Sequence, residues 1–453
     1  MNRIEELRSL VPAEIIVTDP DMMEGYRSDK ADLVAAGKPL AVLRPRCTAH
    51  VATIMKWATK TGTVVVPRGA GTGLSGGATA LDGGVIVTME RMNSIRRLDP
   101  TNHTVEVEAG LVNAEVSRAV ADSGLFYPPD PGSFEVSTIG GNLATNAGGM
   151  RCVKYGVTRN SVLGLEIVLA DGRILRTGGQ TIKNVAGLDL THLFVGSEGT
   201  LGIITAATLR LRPTPVATAT FAATFPTLES GGRALDSIFA CGVTPSVLEL
   251  MDNVTINAVE DYQRMDLDRE AALLLIGQAD GTDALAQVER MVSCCDDAGA
   301  ALSVATADPA ESELLLQARR LAGWATTEQY PTIIEDVGVP RSRLPELLST
   351  IAAISEDTGV RIATVGHAGD GNLHPMLLLP DLDDDTRQRA MQTADHVCAA
   401  ALALDGTITG EHGIGELKRH WLPYQLDNTA LQVQASIKHA LDPANLLNPG
   451  RGF

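Results

Sequence analysis

Three stretches of this chain are so rich in glycine and small side chains that they must present backbone, not side chains, to whatever they face. The first is Pro67-Arg68-Gly69-Ala70-Gly71-Thr72-Gly73-Leu74-Ser75-Gly76-Gly77. The second opens with Asp130-Pro131-Gly132-Ser133 and continues through Ser137-Thr138-Ile139-Gly140-Gly141-Asn142-Leu143-Ala144-Thr145-Asn146-Ala147-Gly148-Gly149. The third is Val195-Gly196-Ser197-Glu198-Gly199-Thr200-Leu201-Gly202-Ile203-Ile204. Glycine loops allow backbone amides to approach a ligand closely, and a loop after a strand can cradle phosphate oxygens. The first loop lacks the Gly-Lys-Ser/Thr ending of a nucleoside-triphosphate loop. Its spacing is not the G-x-G-x-x-G dinucleotide fingerprint either. Taken alone it reads equally well as a structural turn. Three such segments in one half of a chain suit a large nucleotide cofactor better.

At 453 residues the chain is long enough for two or three domains. Hydrophobic residues at 44% and charged residues at 20% describe a globular composition. The balance of 37 basic against 55 acidic residues, −18 net, excludes a general polyanion binder. Aromatics at 4% exclude a stacking platform for single-stranded nucleic acid, so no nucleic-acid partner is expected. The six cysteines form no C-x-x-C pair, which excludes a zinc knuckle or ferredoxin-type cluster and fits reduced thiols in a cytoplasmic protein. No apolar run approaches the roughly 20 residues of a membrane span, and residues 1–9 show no signal-peptide pattern. The expected location is the cytoplasm, with peripheral membrane attachment through a partner left open.

Strands are expected at Val64–Val66, Val85–Val87, Val105–Val107 and Ile167–Leu169. A hairpin turn is expected at Asp171-Gly172, with Ile174-Leu175 starting the return strand. Helices are expected over Thr48–Thr61 and Val112–Ser123, each stopped by a glycine. The prolines of Arg210-Leu211-Arg212-Pro213-Thr214-Pro215 mark a domain exit. Beyond it, helical spacing at Thr282–Ala298, Pro309–Ala325, Ser342–Glu356, Asp384–Ala403 and Thr429–Leu441 alternates with isolated strands. Those strands are Leu273–Ile276, Ile333–Val339, Ile362–Val365 and Met376–Leu379.

Together the three glycine segments resemble the flavin-binding domain of the vanillyl-alcohol oxidase/p-cresol methylhydroxylase superfamily. Within it the chain is similar to the FAD-linked D-2-hydroxy-acid dehydrogenases, the family of D-lactate dehydrogenase, the glycolate oxidase flavin subunit and D-2-hydroxyglutarate dehydrogenase. The resemblance runs from about residue 38 to the C-terminal motif Asp442-Pro443-Ala444-Asn445-Leu446-Leu447-Asn448-Pro449-Gly450. It implies an α+β fold: a two-part FAD-binding domain and an α+β substrate (cap) domain with an antiparallel sheet. The implied division is an N-terminal segment 1–37, an FAD domain 38–215, a cap domain 216–405 and a returning segment 406–453. By the same resemblance Pro67, Arg68, Gly69, Ala70, Gly71, Thr72, Gly73, Leu74, Ser75 and Gly76 hold the FAD pyrophosphate. Pro131, Ser133, Thr138, Gly141, Asn142, Thr145 and Asn146 surround pyrophosphate and isoalloxazine. Glu198, Gly199 and Ile204 contact the adenosine side, and Asn448 joins the cofactor set. Many members of the superfamily tether FAD through histidine or cysteine. The first loop has neither, and the second has only the nearby Cys152, so non-covalent FAD is expected.

Of nine histidines, His50, His103, His192, His396, His420 and His439 read as structural or surface residues. His367 and His374 differ. They stand at the two edges of the glycine-rich turn His367-Ala368-Gly369-Asp370-Gly371-Asn372-Leu373-His374, where their imidazoles can converge on a divalent metal. Glu411 and His412, flanked by glycines in Gly410-Glu411-His412-Gly413-Ile414-Gly415, are a source of a third ligand. The residues alone leave open a metal site or a turn with hydrogen-bonded histidines. The family resemblance implies that His367, His374 and Glu411 bind zinc or a similar ion such as manganese or iron, with His412 as the base beside the flavin.

Oxidation of a 2-hydroxy acid removes a hydroxyl proton and a hydride from C2. A metal on the hydroxyl lowers its pKa, a histidine can take the proton, and the flavin accepts the hydride. Arg319 of the Arg319-Arg320 pair aligns with the family's carboxylate-binding arginine, a planar fork suited to bidentate capture. Asn372 is a further substrate contact. Between Leu321 and Pro340 there is no lysine or arginine, which favours a monocarboxylate such as D-lactate or glycolate. No iron–sulfur or NAD module is visible, so a quinone, cytochrome or electron-transfer protein is expected as a separate electron acceptor. A homodimer is the oligomer entertained. Two competing readings are a metal-dependent hydrolase with an unrelated nucleotide loop and a non-catalytic flavin or electron-transfer subunit.

Overall fold

The computed structural model describes residues 3–453 and divides into two compact units. The first comprises residues 3–148, 156–214 and 411–453 of the described chain, and the second residues 149–155 and 215–410. The chain changes unit at 214/215, and the short passage 149–155, which starts at the last glycine of the second stretch, is a further crossing.

The first unit holds two sheets. In the smaller one, the parallel strands Ala41–Leu43, Val85–Thr88 and Val65–Arg68 lie side by side, and Ile16–Val17 is added antiparallel. The larger is antiparallel, with strands in the order Ile95–Asp99, Thr104–Glu108, Ile203–Arg210, Val162–Val168 and Ile174–Gly178. The three parallel strands are short β-branched runs buried on both faces, as a covered parallel sheet requires. Helix Thr48–Thr61 packs Val51, Ile54, Met55 and Trp57 into the core that both sheets share. Leu447 bridges to Val65, so the C-terminal segment is stitched to the strand that leads into the first glycine loop.

The second unit is built on an eight-stranded antiparallel sheet. Its central order is Leu302–Thr306, Thr218–Phe225, Leu273–Asp280, Val247–Asp252, Arg361–His367, Asn372–Leu378 and Thr332–Ile334, with Val337–Gly338 also pairing with Asn372–Leu378. The strands expected to be isolated are therefore neighbours in one sheet. The run Ile333–Val339 is not one strand: it breaks at Glu335-Asp336 into two short ones. Helices Asn253–Tyr262 and Pro309–Thr327 cover one face, where Ile256, Val259, Leu316, Ala322 and Ala325 meet Leu274, Ile276, Val365 and Met376. Among the described residues no helix is long and apolar enough to cross a membrane.

Candidate active site

In the first unit the chain passes from strand Val65–Arg68 into the first glycine loop. Arg68 is buried, and its guanidinium donates to the carbonyls of Ala78 and Gly25, each at 3.4 Å. Desolvation lowers its pKa, against the opposing charge of Asp29. Asp29, which sequence reasoning missed, braces the loop. Its carboxylate accepts from Ala78 N at 3.1 Å and Thr79 Oγ1 at 3.1 Å, and Lys30 N donates to Gly73 O at 2.9 Å. Across from the loop, Thr138 caps the short helix Ile139–Thr145, its Oγ1 accepting from Gly141 N. A Cβ on Gly69 would stand 2.5 Å from that same oxygen, so only glycine permits this approach. Arg68, Gly69, Ala70, Gly110, Leu111 and Thr138 help line a cavity of about 570 Å³.

The third glycine segment braces the C-terminal one. Glu198 is buried, and its carboxylate accepts from Ile414 N and Gly415 N, both at 2.8 Å. Burial pushes its pKa up while these two amides oppose the shift. Ser75 Oγ donates to the carbonyls of His412 at 3.2 Å and Gly413 at 3.0 Å. Asn448 Nδ2 donates to the carbonyls of Gly77 and Glu198, both at 2.8 Å. The loop bearing Glu411 and His412 is thus fastened by residues from the first and third glycine segments. Ile204 packs into the hydrophobic core, so a ligand contact from it would use its backbone. Asn146 accepts from Arg159 N at 2.9 Å, and Pro131 and Ser133 form the turn before Thr138 through bonds to Phe134 N and Ser137 N.

In the second unit, His367 ends the first arm of a hairpin, Arg361–His367, and His374 is the third residue of the second, Asn372–Leu378. Val365 pairs with His374, which puts His367, two residues further on, on the same face. Both are buried; their ring centroids are 5.1 Å apart with the planes at 86°, and each offers a ring nitrogen within 4.8 Å of the other's. The turn between them requires glycine at 371, where φ is +85°. Two carboxylates that the sequence reading passed over flank the pair. Glu249, from strand Val247–Asp252, lies 2.8 and 3.0 Å from His367 Nδ1. Asp336, fully buried at the strand break, lies 3.6 Å from His374 Nδ1. Asp336 also accepts from Asn372 Nδ2 at 2.7 Å, Thr409 Oγ1 at 2.8 Å and Gly410 N at 2.8 Å.

Asn372 Nδ2 also donates to Val337 O at 2.9 Å, so both its protons are engaged. Only its oxygen remains for a substrate, as an acceptor. The two arginines part company. Arg320 pairs with Glu313 on the helix surface, while Arg319 turns inward, its Nε 2.7 Å from Glu249.

The signal for Glu249 was a lone acid inside Val247-Leu248-Glu249-Leu250-Met251, and for Asp336 two adjacent acids inside a β-branched run.

Solved structures share this fold along nearly the whole chain. p-Cresol methylhydroxylase with substrate bound superposes with a TM-score of 0.81 at 17% identity, covering 99% of this chain and 96% of the other. The 4-ethylphenol oxidase of Gulosibacter chungangensis gives 0.78 at 20%, with the same coverage. The architecture is therefore the α+β flavoprotein fold of the vanillyl-alcohol oxidase/p-cresol methylhydroxylase type. Residues 39–178 match the family described as FAD binding domain, and residues 214–451 match FAD linked oxidases, C-terminal domain. The glycolate oxidase subunit GlcD of Bacillus subtilis is 41% identical over 92% of this chain and 89% of its own length. The Escherichia coli K12 subunit GlcD is 36% identical over 99% and 90%, and the D-lactate dehydrogenase of Archaeoglobus fulgidus 35% over 100% and 99%. The chain belongs to the FAD-linked oxidase family and is an FAD-linked oxidoreductase.

The residues present fit FAD. Gly69 is a place that a side chain would fill, Arg68 brings a cation beneath the loop, and Asn142 Nδ2, Ser137 Oγ and Asn448 Oδ1 are buried without a hydrogen-bond partner. Such atoms are rare unless a ligand or water satisfies them. The hydrolase reading needed a nucleotide loop unrelated to flavin, and family membership removes it.

Proposed function

We propose that this protein oxidises a small D-2-hydroxy acid, D-lactate or glycolate, to the 2-keto acid. The observation that carries the proposal is the buried pair His367 and His374, faced by Glu249 and Asp336 on one hairpin of an FAD-linked oxidase. The names of the relatives support the substrate class. The cofactor lies in segment 38–215 with the return 406–453, segment 1–37 packs on it, and 216–405 serves the substrate. FAD, held without a covalent link, supplies the two-electron acceptor.

His367, His374 and Glu411 form the ligand set for a divalent ion, zinc first, which would lower the pKa of the substrate hydroxyl. Two imidazoles and a carboxylate are an established donor type for such ions and leave coordination positions open. Glu411 is joined directly to Gly410, whose amide is held by Asp336. His412, the next residue, accepts the hydroxyl proton, and Ser75 steadies its backbone.

Arg319 binds the substrate carboxylate through its terminal nitrogens, its Nε lying 2.7 Å from Glu249. The Asn372 oxygen accepts from the substrate. Residues 321–340 contribute buried Glu335 and Asp336 and no cation, which supports a monocarboxylate. Electrons leave to a separate acceptor, in line with relatives named as subunits.

The test is anaerobic bleaching of the yellow protein by a panel of D- and L-hydroxy acids, with and without chelator. D-lactate or glycolate should bleach it, chelator should slow bleaching at least tenfold, and His412→Ala should keep flavin but lose reduction by 10²-fold or more. No bleaching by any acid would favour a non-catalytic flavin subunit; full-rate reduction in the variant would remove His412 from the reaction.

A further inference from the structure

Glu249 is 1% exposed, with apolar Val247, Leu248, Leu250 and Met251 around it in its strand. An ionised carboxylate there is costly unless it is paired and hydrogen-bonded. Its partners come from two separate elements: His367 Nδ1 from the hairpin, at 2.8 Å to Oε1 and 3.0 Å to Oε2, and Arg319 Nε from helix Pro309–Thr327, at 2.7 Å to Oε2. Strand register puts Leu250 opposite Gly366, so Glu249 faces His367 by the geometry of the sheet itself.

We propose that Glu249 is a positioning residue that sets the cation ligand and the carboxylate clamp together. A neutral imidazole bears one N–H. With Nδ1 against a carboxylate, the proton sits there and Nε2 offers its lone pair; the negative partner also makes that nitrogen more basic. The same carboxylate is ion-paired with Arg319 on its Nε side, 2.7 Å away and outside hydrogen-bond geometry, which leaves the two terminal nitrogens as a fork for a monocarboxylate. The residue touches neither substrate nor cofactor and acts through these two side chains. The inference rests on the metal and carboxylate roles proposed above.

The experiment uses flavin-loaded protein without turnover. Zn2+ and, in parallel, Mn2+ dissociation constants are measured by competition with a chromophoric chelator. Pyruvate binding to metal-free protein is followed by its perturbation of flavin absorbance. Glu249→Gln, with flavin content and circular dichroism of the parent, should weaken the metal by about 10–100-fold and pyruvate by about tenfold. Glu249→Asp, which keeps the charge on a shorter arm, should recover part of both. A folded Glu249→Gln with parental metal affinity overturns this inference alone. Failure of the parent protein to bind either ion overturns the metal role and this inference with it. Should the variant not fold, 15N spectra of His367 in the metal-free parent decide: protonated Nδ1 supports the proposal and protonated Nε2 overturns it.

Discussion

Asp252 caps helix Asn253–Tyr262, its carboxylate accepting from Thr255 N and Thr364 N, both at 2.8 Å. Desolvation nevertheless pushes its pKa from 3.8 up to about 6. Between these values the folded chain keeps a proton that the unfolded chain has released. This contribution is therefore full below about pH 4 and is lost as pH rises through about 6. Part of the side chain stays in contact with water, which limits the effect to on the order of 1–2 kcal/mol. Asp252→Asn keeps a capping oxygen and removes the proton. Urea midpoints from pH 4 to 7 should fall less steeply in the variant than in the parent; parallel profiles would refute the assignment. Single residues are also where sequence reasoning was weakest. His367 and His374 stood out in the sequence by their type and glycine setting, and Arg319 only by the family resemblance. Glu249, Asp336 and Asp29 were not, because a lone acid in an apolar run resembles a solvated position until the partner from a distant element is seen.

At the scale of elements, local signals served well where one segment carries its own evidence. The helices Thr48–Thr61 and Asp384–Ala403 begin and end where spacing and flanking residues place them. Strands Thr218–Phe225 and Val247–Asp252 escaped notice, since alanine and glutamate dilute their β-branched character and their pairing partners lie far along the chain. The histidine hairpin shows both sides. Its turn was visible, yet the constraint on it comes from elsewhere: a Cβ on Gly371 would overlap Val339 O, and the positive φ disfavours any other residue. Gly371→Ala should cost roughly 2–4 kcal/mol and lower the affinity for Zn2+. Its flavin content should remain parental, because the flavin cradle is formed by the other unit. An unchanged melting temperature with parental Zn2+ affinity would show that this turn does not set the pair.

For the whole molecule, charge is the property that sequence states outright and structure cannot alter: 55 acids against 37 bases. Within the second unit, Arg319 is ion-paired with Glu249 and Lys154 with Asp280. An anionic hydroxy acid thus approaches a molecule whose net charge has its own sign. Fields of this kind act over a Debye length, about 30 Å at 0.01 M salt and about 8 Å at 0.15 M. Raising salt over that range should screen the repulsion and increase kcat/KM by about two- to threefold. The effect should sit in the second-order constant, because kcat reports only the steps after binding. A neutral analogue such as the hydroxy amide should show no rise. If kcat/KM for the acid instead falls steeply with salt, a local basic funnel dominates the approach, and net charge is the wrong guide to how substrate reaches this enzyme.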